Sequence, residues 1–362
     1  MLHSALIGVP ASGKTTLFQL MTSARDAPRG KGDVNIGISK VPDARLDVLT
    51  SMYNPKKRVP ATIEFTDIIQ PTRTGAQALV DVAGYKNADA LVHVVRAFRS
   101  DSVPHASGPI DPARDAKTME DELILADLGI VERRLERIEK DAKKGLSAEL
   151  TKERELVFRC RAALEEGTSL RALQLAGDDL KRLRGFQFLS AKPLLLVINL
   201  DEADLPSVGA DVERAAASAG LSGFLAHAAT KAVALCATIE LEIAQLGGDD
   251  AKAFLADLGL SESGLDRVIR ASYDLLGYIS FFTVGEDECR AWSIARGTHA
   301  QLAAGEIHSD IQRGFIRAEV VAYDALIARG SMHACREHGE VRLEGKDYVV
   351  QDGDIINFRF AT

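Results

Sequence analysis

The chain has 362 residues, 46% hydrophobic and 27% charged, with a net charge of −8 and four cysteines set far apart. These totals fit two or three packed domains and exclude a disordered or disulfide-stapled chain. No apolar run approaches the length of a membrane span, no segment has the basic balance of an electrostatic nucleic-acid footprint, and Cys160, Cys236, Cys289 and Cys335 form no metal-like pair.

Met1 leads directly into a short buried strand, Leu2–Ile7, so no leader or anchor is expected. The next eight residues, Gly8-Val9-Pro10-Ala11-Ser12-Gly13-Lys14-Thr15, fit G-x-x-x-x-G-K-[ST]. Thr16–Met21 continues as a helix with apolar residues on one side. Strand, glycine loop, helix is the order a phosphate-binding loop needs. Gly8 and Gly13 permit a tight turn, and the backbone N–H groups from Gly8 to Thr16, including those of Ala11 and Ser12, can face phosphate oxygens at a helix N-terminus. Lys14 supplies positive charge to the β- and γ-phosphates, and the Thr15 hydroxyl is a ligand for Mg²⁺. The chain is expected to bind a nucleoside triphosphate.

Lys56-Lys57-Arg58 reads as a solvated charge run. Further strands are expected at Ala61–Asp67, Ala90–Arg96 and Pro193–Asn199, with a weaker one at Gly223–Ala228. Parallel strands with helical crossovers imply an open α/β sheet whose ligand lies at the carboxyl ends of its strands. The glycine loop, Asp67 and Asn199 all fall at such ends.

Residues 113–187 differ in kind, dense in charge and nearly without strand signal. Ile124, Leu128, Val131, Leu135 and Ile138 follow 4-3-4-3 spacing. After Lys143–Ser147, heptad-like spacing resumes through Leu146, Leu150, Val157, Cys160 and Leu164, with Glu153/Arg154 in the missing slot. Two antiparallel helices follow, either packed flat on the core or standing off it as a coiled-coil arm, and the charged outer faces favour the arm. From about 277 the chain becomes β-rich. Strands are expected at Tyr278–Val284, Cys289–Ile294, Asp347–Val350 and Ile355–Phe360, with a helix near Val320–Ala328. The histidines at 308 and 333 lack metal-ligand spacing.

With these parts in place the sequence resembles the Obg-like ATPase (YchF) family of P-loop proteins along nearly its whole length. The resemblance is carried by Val41–Asp47, Ala61–Ile68, His93-Val94-Val95-Arg96, Asp111-Pro112, Ala303–Asp310, Gly314–Val320 and Leu343–Asp354. It implies an α/β fold: a doubly wound, mainly parallel P-loop NTPase sheet, an inserted helical arm, and a C-terminal TGS domain of ubiquitin-like β-grasp fold. The corresponding segments are 1–112 with 188–276, then 113–187, then 277–362. The resemblance also implies cytoplasmic association with the ribosome or translation machinery, with the arm and TGS domain as docking surfaces. Mg²⁺ would be held by Thr15 and, through water, Asp67.

Asn199-Leu200-Asp201-Glu202 takes the place of the N-K-x-D that reads guanine. Glutamate at the aspartate position moves the carboxylate by one methylene and spoils a bidentate guanine contact, a mismatch worth roughly 1–3 kcal/mol when buried. The family's N-x-x-E form implies ATP over GTP, with Asn199 and Leu200 at the base; Glu202 is otherwise a solvated loop residue. Ala228-Ala229-Thr230-Lys231 matches the family's S-A-K loop only loosely.

Two departures concern the third phosphate. D-x-x-G stands here as Asp67-Ile68-Ile69-Gln70, without the glycine, followed by a short Pro71–Ala76 stretch. Pro28–Asp33 replaces a longer first switch and its Mg²⁺-binding threonine. Lys14 can stabilise charge on a transferring phosphoryl, but no residue plainly positions a water, Gln70 reading as a loop residue. The expected function is therefore a slow ATPase acting as a ribosome-associated switch, with a non-hydrolysing nucleotide-binding adaptor and a GTP-binding switch as alternatives.

Overall fold

Two six-stranded sheets are built from the alternating and continuous apolar runs of the sequence. The structure is a computed structural model that describes residues 2–22, 34–68, 82–105, 108–143, 147–175, 177–208, 211–227 and 229–361. The chain runs β1 (His3–Ile7), α1 (Lys14–Thr22), β2 (Val34–Lys40), α2 (Ala44–Tyr53), β3 (Lys57–Val59), β4 (Thr62–Ile68) and β5 (Ala90–Ala97). The long helices α3 (Pro112–Ala142) and α4 (Ala148–Glu165) follow, then β6 (Leu194–Leu200) and β7 (Thr230–Leu235). The remaining strands are β8 (Tyr278–Thr283), β9 (Glu288–Ala295), β10 (Phe315–Ala322), β11 (Arg342–Glu344) and β12 (Asp354–Phe360).

The first sheet has the order β2-β4-β1-β5-β6-β7, and the pairs of β1 with β4 and β5, β5 with β6, and β6 with β7 are parallel. Its central strands β5 and β6 are buried along nearly their full length, which is why both read as uninterrupted apolar runs. The order reverses at β1, so a crevice opens beyond its carboxyl end. Register brings Leu6 opposite Asp67, Arg96 opposite Asn199, and Asn199 opposite Leu235.

The sequence places a weak last strand at 223–228, and the structure corrects this. Ser222–Ala226 is a 3-10 turn, and β7 begins at Thr230. The residues that pair with β6 and bury Val233, Ala234 and Leu235 are the later ones. Thr230-Lys231 therefore opens β7 at the end of the sheet away from the glycine loop. The segment leaving β7 beside that loop is Cys236-Ala237.

α3 begins at Asp111, whose carboxylate caps Arg114 N, with Pro112 in the first turn. Its first third packs Ala116, Met119 and Leu123 into the core with Leu91, Val95, Leu194 and Leu196. Beyond that, Ile124, Val131 and Leu135 meet Leu156, Val157, Cys160 and Leu164 of α4. The helix is thus rooted on the sheet and paired with α4 further along. Where the heptad lacks an apolar residue, Arg134 forks onto Glu153 at 2.6 and 2.7 Å. Two buried carboxylates fix the root. Asp127 accepts from Leu189 N, Ser190 N and Ser190 Oγ at 2.7–2.9 Å, and Glu120 accepts from Arg171 Nη1 at 2.6 Å.

Backbone contacts gather 39–63 with the C-terminal segment from 276 into a second unit. Its sheet has the order β11-β10-β12-β8-β9-β3, with β8 parallel to β12 and antiparallel to β9. Ile279, Phe281, Ile294, Ala303, Val320, Ile356 and Phe358 form its core. The helix expected over 320–328 is shorter, Tyr323–Arg329, because β10 continues to Ala322. Asp347–Val350 forms only an isolated bridge, His299 to Val349, rather than a strand. In the basic run, Lys56 pairs with Asp287 at 2.7 Å and Arg58 with Asp47 at 2.6 Å, so two of its three charges have carboxylate partners in the same unit.

Candidate nucleotide-binding site

The glycine loop leaves β1 at the crevice and enters α1 at Lys14. Gly8 and Gly13 have φ of +144° and +98°. A Cβ on Gly8 would lie 2.4 Å from Val94 O, and one on Gly13 2.5 Å from Asn199 Nδ2. Both positions exclude a side chain on conformation and on space. Ala11 also has positive φ, +61°, so the turn holds strain outside its glycines.

The loop's carbonyls are held from behind by its neighbours. Lys14 Nζ donates to Gly8 O at 2.7 Å and Val9 O at 2.9 Å. Burial lowers the Lys14 ammonium from 10.5 to about 8, the Asp67 carboxylate acting weakly in the opposite sense. Thr15 Oγ1 donates to Asp67 Oδ2 at 2.9 Å. An exposed hydroxyl beside a buried carboxylate is a hard oxygen pair of the kind Mg²⁺ takes, with phosphate and water completing the shell. Among the described residues no group of three or more His, Cys, Asp or Glu could hold a metal by itself. Thr15 and Asp67 fit two oxygen positions of such a shell.

Asn199, at the end of β6, is buried and spends both ends of its amide on backbone. Nδ2 donates to Ser12 O at 3.0 Å, and Oδ1 accepts from Ala237 N at 3.0 Å. The side chain thus ties the phosphate loop to the start of the helix Ala237–Ile243. Leu200 is buried at the strand end, Asp201 accepts from Arg99 N at 3.1 Å, and Glu202 opens an exposed 3-10 turn. Thr16 follows Thr15 in the first turn of α1. The structure thus brings Gly8, Ala11, Ser12, Gly13, Lys14, Thr15, Asp67 and Asn199 together, with Leu200 and Glu202 following directly on Asn199. Gln70, Pro71–Ala76, Pro28–Asp33 and Ala228 lie outside the described residues.

Sequence reasoning missed two participants. Ala237 was hidden by the misplaced last strand, since with β7 at 230–235 its N–H falls next to Asn199. Arg96 was read only as part of a motif, although a charge inside a β-branched strand is itself a signal, being expensive to bury unpaired.

A family model named YchF-GTPase_C, described as a protein of unknown function (DUF933), matches residues 278–361. "Ribosome-binding ATPase YchF" of Bacillus subtilis (strain 168) is 42% identical over 369 residues, covering 99% of each chain. The chain belongs to the YchF/Obg-like ATPase family. "Obg-like ATPase 1" of Oryza sativa subsp. japonica is 34% identical, covering 99% of this chain and 92% of its own. The solved structure of the Schizosaccharomyces pombe YchF GTPase superposes with a TM-score of 0.86 at 27% identity, covering 99% of this chain and 97% of that one. The α/β fold is accordingly that of a P-loop NTPase with a mainly parallel doubly wound sheet, an inserted helical arm and a C-terminal β-grasp TGS domain. Among the described residues no helix is long and apolar enough to cross a membrane.

Proposed function

We propose that this YchF-family chain binds ATP with Mg²⁺ and acts as a slowly hydrolysing, ribosome-associated nucleotide switch in the cytoplasm. The observation that carries the reading is the glycine loop, with Lys14 behind it and the Thr15–Asp67 pair at its mouth. Lys14 and the loop N–H groups hold the phosphates, Thr15 ligates Mg²⁺, and Asp67 reaches the ion through water. Preference for ATP over GTP is supported by the base loop. Asp201 is occupied by Arg99 N, and the residue at the guanine-reading position is the exposed Glu202. Asn199 and the Leu200 backbone are the base contacts in this reading, and the Asn199 side chain also braces the loop. Slow hydrolysis follows from Asp67-Ile68-Ile69-Gln70, which lacks the glycine that would offer a backbone N–H to the γ-phosphate.

Ribosome association is supported by the names of the relatives from Bacillus subtilis and Escherichia coli O157:H7, both "Ribosome-binding ATPase YchF". The arm over 113–187 and the TGS domain over 277–362 are the docking surfaces in this reading, and 1–112 with 188–276 the nucleotide domain. Titration calorimetry with ATP, GTP, ADP and GDP in Mg²⁺, together with co-sedimentation on ribosomes, tests it. ATP is expected to bind more tightly than GTP, and turnover to stay below ~1 s⁻¹, the low end for phosphotransfer enzymes. Clear GTP preference, or absence from the ribosomal pellet with every nucleotide, would overturn it.

A further inference from the structure

Arg96, at the carboxyl end of β5, is the largest side chain to be fully buried among the described residues. Its guanidinium has no carboxylate within salt-bridge distance among those residues, and carbonyl oxygens satisfy it instead. Nη2 donates to Val103 O at 2.7 Å, Nε to Phe98 O at 3.3 Å, and Nη1 to Ala11 O at 3.3 Å. The cation also lies over the Phe98 ring, 4.5 Å from its centre. A buried charge without a counter-ion is costly to the fold, and an apolar residue would suit a central strand better.

Its place in the sheet suggests its use. Arg96 is paired in register with Asn199 on β6. Asn199 donates to Ser12 O, and Arg96 to the preceding carbonyl, Ala11 O. Two adjacent strands therefore grip consecutive carbonyls of the phosphate loop, at the residue whose φ is +61°. In a planar trans peptide the C=O and the following N–H point in opposite directions. Drawing the carbonyls of Ala11 and Ser12 towards β5 and β6 turns the N–H groups of Ser12 and Gly13 the other way.

We infer that Arg96 is a positioning residue for the phosphates of the nucleotide, holding the Ala11 peptide so that the loop N–H groups are aimed before the ligand arrives. The inference rests on the nucleotide-binding reading above. It concerns the part of the ligand that ATP and ADP share, so both should respond alike.

The test compares wild type with Arg96→Lys, Arg96→Gln and Arg96→Ala, each checked for a cooperative melt above the assay temperature. The affinities of ATP and ADP in Mg²⁺ are read by calorimetry. Arg96→Lys keeps the charge but loses the fork, and Arg96→Gln loses both. Each is expected to weaken ATP and ADP by a common factor of about tenfold, the scale of one charge-assisted hydrogen bond. Millimolar guanidinium chloride should restore affinity to Arg96→Ala, and sodium chloride at equal ionic strength should not. Should the alanine variant fail to fold, the lysine and glutamine variants carry the result. Folded variants that bind both nucleotides within twofold of wild type, or that lose ATP but not ADP, would overturn the positioning role. Wild type that binds neither nucleotide would instead remove the nucleotide reading, and this inference with it.

Discussion

With Lys14 against the phosphates, as proposed, the binding of nucleotide becomes a proton-linked event. The Lys14 ammonium is lowered to about 8, mainly by burial. A phosphate placed against it favours the charged form and returns its pKa to the ordinary 10.5 or above. At pH 7 the amine is already protonated and binding takes up almost no proton. Above pH 8 the free protein holds a neutral amine, so each binding event must draw a proton from solution. With these two values, affinity should fall about tenfold between pH 7 and pH 9, about 1.4 kcal/mol. ADP is the ligand of choice, because its phosphates are already ionised at pH 8 and hydrolysis does not intervene. Calorimetry in two buffers of different ionisation enthalpy reads the proton directly: about half a proton per ADP at pH 8, and about nine-tenths at pH 9. Lys14→Met should bind weakly at every pH and show no uptake. Equal heats in the two buffers at pH 9, with an unchanged affinity, would refute the reasoning. The free protein should behave in a complementary way. Its folded-state pKa lies below the unfolded value, so the unfolded chain binds more protons between pH 8 and 10.5, and Lys14's contribution to stability rises across that window.

Thr15→Ala removes the hydroxyl that donates to Asp67. ATP affinity should then lose its dependence on Mg²⁺, with little change in the metal-free value, as read by titrations with and without the chelator EDTA. Asp127→Ala leaves Leu189 N, Ser190 N and Ser190 Oγ without their acceptor at the root of α3. A loss of about 3–5 kcal/mol in urea unfolding is expected from buried donors left unpaired. Gly13→Ala forces φ +98° on a residue with a side chain, and sets its Cβ 2.5 Å from Asn199 Nδ2. Its cost should exceed about 2 kcal/mol, and should shrink in the background of Asn199→Ala, which removes the clashing atom; strict additivity of the two losses would contradict the packing described.

The parts of the molecule legible in the sequence are those where one residue type has one physical use. Gly8, Gly13, Lys14 and Thr15 are constrained by backbone geometry and phosphate chemistry together, so their pattern was informative alone. β5 and β6 were legible because a strand covered on both faces has no polar alternation to blur it. β7 was not, since Gly223–Ala228 and Thr230–Leu235 are both short apolar runs. Only the pairing of Asn199 with Leu235 separates strand from turn. Asp347–Val350 has strand composition, yet Val350 N bonds to Thr298 O and Ala300 N to Tyr348 O, a loop fastened by two cross-links rather than a ladder. The ion pair between Arg134 and Glu153 shows the reverse: the heptad slot that the sequence fills with Glu153/Arg154 is a polar contact between helices. The brace by Arg96 depends on the alignment of two strands about a hundred residues apart, which no local pattern encodes.

The way the loop is held bears on how the protein can switch. The positive-φ residues Gly8, Ala11 and Gly13 lie against Val94, Arg96 and Asn199, all residues of the sheet. The strain is met when the chain folds, and little ordering remains for the nucleotide to impose. A seat prepared in this way holds the phosphates common to ADP and ATP and offers little to tell them apart. In the proposed reading, discrimination then falls to the Thr15–Asp67 pair and the Mg²⁺ it would hold, and to the segments whose sequences depart from the switch pattern, Pro28–Asp33 and Asp67–Gln70. A ligand pair that differs tenfold in affinity between two states moves their ratio only tenfold, while full inversion from 1:99 to 99:1 takes about 10⁴. By linkage, a partner that recognises the triphosphate-bound form adds its own share to the discrimination, raising the ATP-to-ADP affinity ratio by the factor of its preference. The affinity ratio in the presence of ribosomes, compared with the ratio in their absence, measures that share.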